Sequence, residues 1–353
     1  MSSVDEVGLD VVELAKELVA IESVTLREGN VVEHLRQRLA DRRFKVLTQP
    51  IEGGDSAVKA PRANLLAVDD DLAPIRLVLT THLDTVPPFI PLRDEGDTLF
   101  GRGTCDAKGI FAAQWIAIEI LRARGHKGLA LLGVVGEETN SIGAKLAHEI
   151  LPKADWVVDG EPTGLVMTSA AKGILGLKLV ADGVAGHSAY PDRGRSATHA
   201  LIHALHRVLS AELPWHPDFG RTTINVGTMN GGVAPNVIAP EAIADLMIRL
   251  GAPLETVKAE IEHLIGPGVA VEVSTGSEPL RIYTPDGYPK APVSFGSDVP
   301  YLSRIGTTLL VGPGSIHDAH TATEKIGKDE LTAAVRFYVE LGERLLKTPK
   351  VPA

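Results

Sequence analysis

The chain has 353 residues, of which 44% are hydrophobic and 23% charged, and this composition indicates a globular protein long enough for two domains. A formal net charge of −10 argues against a nucleic-acid partner or an anionic membrane surface. The single cysteine, Cys105, excludes an internal disulfide and suits a reducing compartment. The first residues show no signal-peptide features, and no apolar run approaches the roughly 18 residues of a membrane span, so we expect a cytoplasmic protein.

In the first half of the chain, helical stripes of apolar residues alternate with short, continuous apolar runs. Such runs are typical of parallel strands that are buried on both faces. Helices are predicted at 9–21, 30–42, 108–124 and 142–150, and strands at 44–48, 64–68, 75–80, 129–135 and 155–158. The order predicts an α/β domain in which a largely parallel mixed sheet lies between helices.

The pattern changes near Ala170. Strands with one exposed face are predicted at 175–180, 222–226, 242–250 and 269–274, and helices at 196–209 and 254–265. They indicate a small α+β domain, residues 172–278, inserted into the first one. The first domain then comprises 1–171 and 279–353, with a buried strand at 307–311 and a terminal helix at 329–346.

Acidic residues and histidines follow four of the apolar runs of the first domain. Alone, an acid after a strand is typical of a cap or a solvated turn. In open α/β sheets, however, the carboxyl ends of parallel strands converge and form ligand sites. The convergent set is His82 with Asp84, Glu137 with Glu138, Glu161, His320 in the loop 312–320, and Asp106 in a glycine-rich loop.

These residue types suit a site for two metal ions, since imidazole and carboxylate are the ligands that zinc accepts. In extended backbone His82 and Asp84 face the same way, so the Asp84 carboxylate can accept the distal N–H of a metal-bound His82. Of the adjacent Glu137 and Glu138, one can bind an ion and the other can act as a base.

The strings T-H-L-D-T-V-P, G-R-G-T-C-D-A-K-G, G-E-E-T, G-E-P-T and G-P-G-S-I-H-D-A-H-T occur in order along nearly the whole chain. They resemble the dinuclear-zinc metallopeptidase family that contains acetylornithine deacetylase, succinyl-diaminopimelate desuccinylase, aminoacylase and carboxypeptidase G. The resemblance implies a zinc-exopeptidase-like fold and two zinc ions per chain, which cobalt can replace. Its implied ligands are His82 and Glu161 on one ion, Glu138 and His320 on the other, and Asp106 between them.

The resemblance also implies that Glu137 is the general base and that the peptide bond after Asp106 is cis. In the inserted domain, the string G-H-S-A-Y-P resembles a lid motif of the family. It implies a homodimer formed through this domain, in which His187 polarises the scissile carbonyl in the partner subunit's active site. Asn236, Arg249 and Lys172 resemble substrate-binding positions, and the planar fork of Arg249 suits a substrate carboxylate.

The strings are most similar to those of acetylornithine deacetylase, so we expect an N-acyl amino acid, such as N-acetylornithine, as substrate and a place in arginine biosynthesis. The alternatives are desuccinylation, hydrolysis of a short peptide by a dipeptidase or carboxypeptidase, and a non-catalytic binding protein on the same fold. The family's additional helix is replaced in the segment 275–295 by a short Pro/Gly-rich passage, which leaves side-chain specificity open.

Two other features have plain interpretations. Cys105 is expected to be a small buried residue in a tight loop. His199, His203 and His206 are spaced by about one helical turn and are expected on a solvated helix face.

Motifs of serine hydrolases, H-E-x-x-H metalloproteases and P-loop enzymes are absent from the sequence.

Overall fold

The computed structural model describes residues 7–69 and 74–349, so the chain's first residues, on which the signal-peptide expectation rests, lie outside them. The chain divides into two compact units. Unit 1 comprises Met1–Thr168, Tyr283–Lys290 and Ser297–Ala353, and unit 2 comprises Ser169–Ile282 and Ala291–Gly296. The boundaries predicted from the sequence place residues 169–171, 279–282 and 291–296 in the first domain. They belong to unit 2, where the Lys172 amide donates to the Val293 carbonyl at 3.2 Å.

The first part of unit 1 alternates helices and strands. In chain order these are α1 Val11–Val19, α2 Gly29–Asp41, β1 Lys45–Pro50, β2 Ala63–Val68, β3 Leu77–His82, β4 Arg93–Glu95, β5 Thr98–Phe100, α3 Lys108–Ala123, β6 Leu129–Val134, α4 Ile142–Ala147 and β7 Trp156–Asp159. The boundary between the units falls within β8.

The remaining elements belong to unit 2 and to the C-terminal segments of unit 1. They are β8 Met167–Ala171, β9 Gly173–Asp182, a 3-10 turn at Pro191–Arg193, α5 Ala197–Ser210, β10 Thr223–Gly231, β11 Glu241–Leu250, α6 Leu254–Ile265, β12 Val269–Ser277, β13 Leu280–Arg281, β14 Lys290–Val293, α7 Val299–Leu302, β15 Thr307–Leu310, β16 Lys325–Gly327 and α8 Lys328–Lys347.

A six-stranded sheet in the order β1-β2-β6-β3-β7-β15 forms the centre of unit 1. Strand β3 is parallel to both β6 and β7, β7 is parallel to β15, and the β1–β2 and β2–β6 pairs are antiparallel. Every residue of β2, β3, β6 and β7 is buried, because helices cover both faces of the sheet. Double-sided burial accounts for the continuous apolar runs in the sequence and confirms the predicted α/β class.

Unit 2 contains a four-stranded antiparallel sheet in the order β10-β11-β9-β12. Along β11, buried and more exposed residues alternate, and the buried ones pack against α5 and α6 in a core of their own. This arrangement is the α+β architecture predicted for the insertion. Within the part of the chain that the structure describes, we find no helix with the length and apolar character needed to cross a membrane.

Candidate metal centre

The sheet of unit 1 brings three segments with candidate ligands to one edge. His82 is the last residue of β3, Glu137 and Glu138 follow β6, and Glu161 follows β7. Because β6, β3 and β7 are neighbouring parallel strands, their carboxyl ends lie side by side.

Asp106 lies between the two histidines. One of its carboxylate oxygens, Oδ1, is 3.0 Å from Nε2 of His82, and the other, Oδ2, is 3.2 Å from Nε2 of His320. Nε2 of His320 is also 3.0 Å from Oε2 of Glu138. A carboxylate that presents one oxygen to each imidazole has the arrangement required of a bridging ligand.

The donor atoms fit a divalent transition metal. His82, Asp106 and Glu138 each offer one ligand atom, and these atoms lie within 4.8 Å of one another. Nitrogen and oxygen donors of this kind are those that zinc accepts. The side chains of His82, Asp106 and Glu138 are 1%, 5% and 6% exposed, whereas that of His320 is 51% exposed. The cluster is therefore enclosed except on the His320 side.

Electrostatics in the cluster favour positive charge on the imidazoles. Burial alone would lower the pKa of His82, but the carboxylates of Asp106 and Asp84 hold it well above 6.5. Hydrogen bonds to Asp106 and Glu138 raise the pKa of His320 to about 10. Burial acts to raise the pKa of Asp106, but the two histidines lower it below its usual value. Asp106 thus lies between two imidazoles that favour its ionised form.

Burial is the main influence on Glu137 and Glu161. It raises the pKa of both side chains well above 4.5, and the negative charges of neighbouring carboxylates raise both further. The charge of Glu137 is the largest of these influences on Glu161, which places the two carboxyl groups in one electrostatic environment. A buried carboxylate of this kind is a stronger base than one in water.

Asp84 lies beside His82 and has further partners. Nδ1 of His82 lies 2.9 Å from the backbone carbonyl of Asp84, and the Asp84 carboxylate is farther away, at 3.5 Å. That carboxylate accepts the Thr25 hydroxyl at 2.8 Å and the backbone N–H groups of Glu137 and Glu138 at 3.1 and 3.3 Å. Both the carbonyl and the carboxylate of Asp84 therefore lie near Nδ1 of His82, and the carboxylate also contacts the glutamate pair. The role of Asp84 in orienting a metal-bound His82 stays a prediction.

The glycine-rich loop before α3 carries Asp106. The peptide bond between Asp106 and Ala107 is cis, as the resemblance implies. Glycine is required at position 109, because a Cβ there would lie 2.1 Å from the carbonyl oxygen of Thr104. Nζ of the buried Lys108 donates to the Ile21 carbonyl at 2.6 Å, and burial lowers its pKa to about 7.

The other four predicted site residues belong to unit 2. His187 and Asn236 are exposed, and the amide of Ser188 donates to the Asn236 carbonyl at 3.0 Å. Arg249 is half-buried in β11, where burial lowers its pKa. Nζ of Lys172 donates to the Arg221 carbonyl at 2.6 Å. Their contacts to substrate stay predictions.

Two residues near the centre were missed by the sequence reasoning. Glu324 is completely buried, and it pairs with the buried Arg102 beside the loop that carries Asp106. Neither residue follows one of the strands predicted from the apolar pattern, so that pattern gave no signal for them.

Cys105 and the three histidines of α5 lie where the sequence predicts them. Cys105 is buried, and burial raises the pKa of its thiol well above 9.0. His199, His203 and His206 lie on the exposed face of α5.

Comparison with known proteins identifies the family. Residues 169–268 match the peptidase dimerisation domain. The chain is 38% identical to a probable carboxypeptidase of Aspergillus oryzae, with 94% of this chain and 86% of that protein covered. It is 36% identical to a peptidase M20 domain-containing protein of Schizosaccharomyces pombe, with 94% and 84% covered.

The chain belongs to the M20 peptidase family. As an M20 metallopeptidase it is a hydrolase, and the cluster around Asp106 is its candidate metal site. The fold is shared with the aminopeptidase PepT of Bacillus cereus, with a TM-score of 0.78 at 22% identity over 96% of this chain and 98% of that one.

Proposed function

We propose that this M20 peptidase uses two divalent cations to cleave the amide bond between an acyl group and an amino acid with a free carboxylate. The observation that carries the proposal is Asp106, which presents one carboxylate oxygen to His82 and the other to His320. Short peptides are the first substrate class, because the curated relative in Aspergillus oryzae is named a probable carboxypeptidase.

Five residues of unit 1 would hold the two cations, for which we propose zinc, with cobalt as a substitute. They are His82 and Glu161 for one ion, Glu138 and His320 for the other, and Asp106 for both. When bound, such cations supply Lewis-acid activation of water and of the substrate carbonyl.

Glu137 is the proposed proton carrier. It takes a proton from the attacking water and returns it to the nitrogen of the departing amine, so one carboxylate serves as base and then as acid. The Asp84 carboxylate holds the backbone of Glu137 in place, because it accepts the Glu137 N–H at 3.1 Å.

Unit 2 supplies the proposed substrate contacts. Arg249 recognises the free carboxylate of the amino acid, and Asn236 and Lys172 contribute polar contacts. We propose that the chain forms a homodimer through unit 2 and that His187 polarises the scissile carbonyl in the partner's site. The match of residues 169–268 to a peptidase dimerisation domain supports this part.

An N-acetyl amino acid is the second candidate substrate. It shares with a peptide the amide bond and the free carboxylate, and differs only in the acyl group. The similarity of the G-E-P-T and G-P-G-S-I-H-D-A-H-T strings to acetylornithine deacetylase favours it.

A hydrolysis screen tests the function. The protein with added zinc or cobalt is incubated with dipeptides, N-acetylornithine, N-acetylcitrulline and succinyl-diaminopimelate, and amine release is measured. We expect release from dipeptides first. Release only from an acetylated substrate would favour the deacetylase, and no release from any of them would refute the hydrolase assignment.

Glu137→Gln tests the catalytic role. We expect it to lower turnover by about 100- to 10,000-fold, the usual contribution of a general base, while the metal content stays at that of the wild type. Glu340→Gln, on the exposed side of α8, is the matched control and should change neither quantity. Wild-type turnover in Glu137→Gln would overturn the assignment.

A further inference from the structure

Glu324 makes an unusually complete set of contacts with the loop that carries Asp106. Its Oε1 accepts the backbone N–H groups of Gly103, Cys105 and Asp106 at 2.8, 3.3 and 3.3 Å. Its own carbonyl accepts the N–H of Gly101 at 3.0 Å. Converging backbone N–H groups of this kind form a concave site for an anion, and here a side chain of the same protein occupies it.

Arg102 completes the arrangement from the same loop. Its Nη1 donates to Oε2 of Glu324 at 2.6 Å, and the two side chains are 2% and 0% exposed. Its Nε donates to the Pro88 carbonyl at 3.3 Å. Among the residues that the structure describes, every hydrogen bond of the Glu324 carboxylate therefore comes from residues 102–106.

The contacts connect two candidate ligands that are far apart in sequence. Asp106 donates its own N–H to Glu324, and Glu324 follows His320 by four residues in one connected segment. A shift of this carboxylate changes the distance between the Asp106 loop and the His320 loop. The contact from Asp106 Oδ2 to Nε2 of His320 is 3.2 Å, so a small shift is enough to break it.

We propose that Glu324, together with Arg102, is a positioning residue that fixes Asp106 between the two histidines. The inference rests on the proposed metal centre. Stability alone is a weak reason for such a pair, because removing two charges from water costs about as much free energy as their attraction returns. A fixed position for a bridging ligand is a function that a buried apolar pair cannot provide.

Glu324→Gln is the test. Its side chain has the same shape, but its amide NH₂ group, a donor, must face either the N–H groups of the loop or Arg102, which are donors themselves. We expect the affinity for Zn²⁺, measured by competition with a chromophoric chelator, to fall about 10- to 100-fold, as for other residues that orient metal ligands. With Co²⁺ in place of Zn²⁺, the visible absorption spectrum should change as well, since it reports ligand geometry.

Glu119→Gln is the matched control. Glu119 is also a nearly buried acid of unit 1, and it pairs with Arg42 at 2.7 Å and Arg122 at 3.2 Å, away from the candidate ligands. Its substitution should lower stability while the zinc affinity and the Co²⁺ spectrum remain those of the wild type. Stability loss alone therefore does not explain the expected result for Glu324→Gln.

The outcomes separate this inference from the proposed function. If the wild type does not bind two Zn²⁺ ions per chain, the proposed metal centre fails. If it does, and Glu324→Gln has wild-type zinc affinity and Co²⁺ spectrum, only the role of Glu324 is overturned. Should Glu324→Gln not fold, Glu324→Asp replaces it. Its carboxylate is one methylene short of the loop, and unchanged zinc affinity in this variant also refutes the role.

Discussion

At the scale of single residues, two buried acids near the candidate metal site stand out. Oδ2 of Asp159 and Oδ1 of Asp298 are buried and have no hydrogen-bond partner within the described part of the chain. Burial raises the pKa of Asp298 to about 6, and burial followed by the charge of Asp298 raises that of Asp159 well above 3.8. Their ionisation in the folded protein therefore costs stability.

Asp298→Asn should reveal that cost through its pH dependence. The folded protein holds the Asp298 proton more tightly than the unfolded chain does, so stability falls as the pH rises from about 4 to 6. Asparagine removes this loss. We expect Asp298→Asn to be more stable than the wild type above pH 6, by up to about 3 kcal/mol, and not below pH 4.

Urea unfolding of the chelator-treated protein, at one pH below 4 and one above 6, measures the effect. The exposed Asp286→Asn serves as control, with no pH-dependent difference expected. An equal stability change for Asp298→Asn at the two pH values would contradict the explanation.

At the scale of elements, a hydrogen bond joins α8 to the end of β15. Tyr338 is completely buried, and its hydroxyl donates to the Val311 carbonyl at 2.8 Å. Tyr338→Phe leaves that buried carbonyl without its donor, which should lower the free energy of unfolding by about 1–3 kcal/mol. Denaturant titration measures the free energy of unfolding. Tyr288→Phe, at a partly exposed position, is the control. Equal effects of the two substitutions would show that the Tyr338 hydrogen bond contributes nothing.

The same scale shows what could be predicted from the sequence. The central strands were predictable, because burial on both faces leaves a continuous apolar run and one such run precedes each of His82, Glu137 and Glu161. Six short strands were missed. They are β4, β5, β8, β13, β14 and β16. Strands of two to five residues depend on pairing with distant segments, and they have too few residues to show a periodic pattern of apolar positions.

Side-chain contacts between loops could not be predicted from the sequence either. Glu324 meets Arg102 across more than two hundred residues of chain, a contact that neither local sequence contains. The further partners of Asp84 could not be predicted, for a related reason. Alternation along an extended strand predicts that Asp84 faces the same way as His82, but it does not predict that the backbone N–H groups of Glu137 and Glu138 donate to the Asp84 carboxylate.

At the scale of the whole molecule, the open question is whether each active site is built from two chains. The dimerisation-domain match spans residues 169–268 and includes His187. If His187 acts in the partner's site, Glu137→Gln and His187→Ala damage different sites of a mixed dimer. One site then combines an intact Glu137 with an intact His187.

Mixing the two inactive variants under conditions that exchange subunits tests this arrangement. We expect recovery of about a quarter of the wild-type activity, since about half of randomly mixed dimers contain both variants and each has one complete site. Native mass spectrometry before and after mixing confirms the dimer and shows whether mixed dimers have formed. If activity does not return although mixed dimers form, His187 acts within its own chain.

The uneven exposure of the metal cluster has a kinetic consequence. His82, Asp106 and Glu138 are held below the surface by the centre of the sheet and by the α3 loop, whereas about half of the His320 side chain faces solvent. Local opening is easiest where contacts are fewest, so we expect the His320 loop to open before the strand ends do. Exchange of a bound ion with a chelator should therefore begin at His320 and proceed without unfolding of the core, and its rate should depend on this loop.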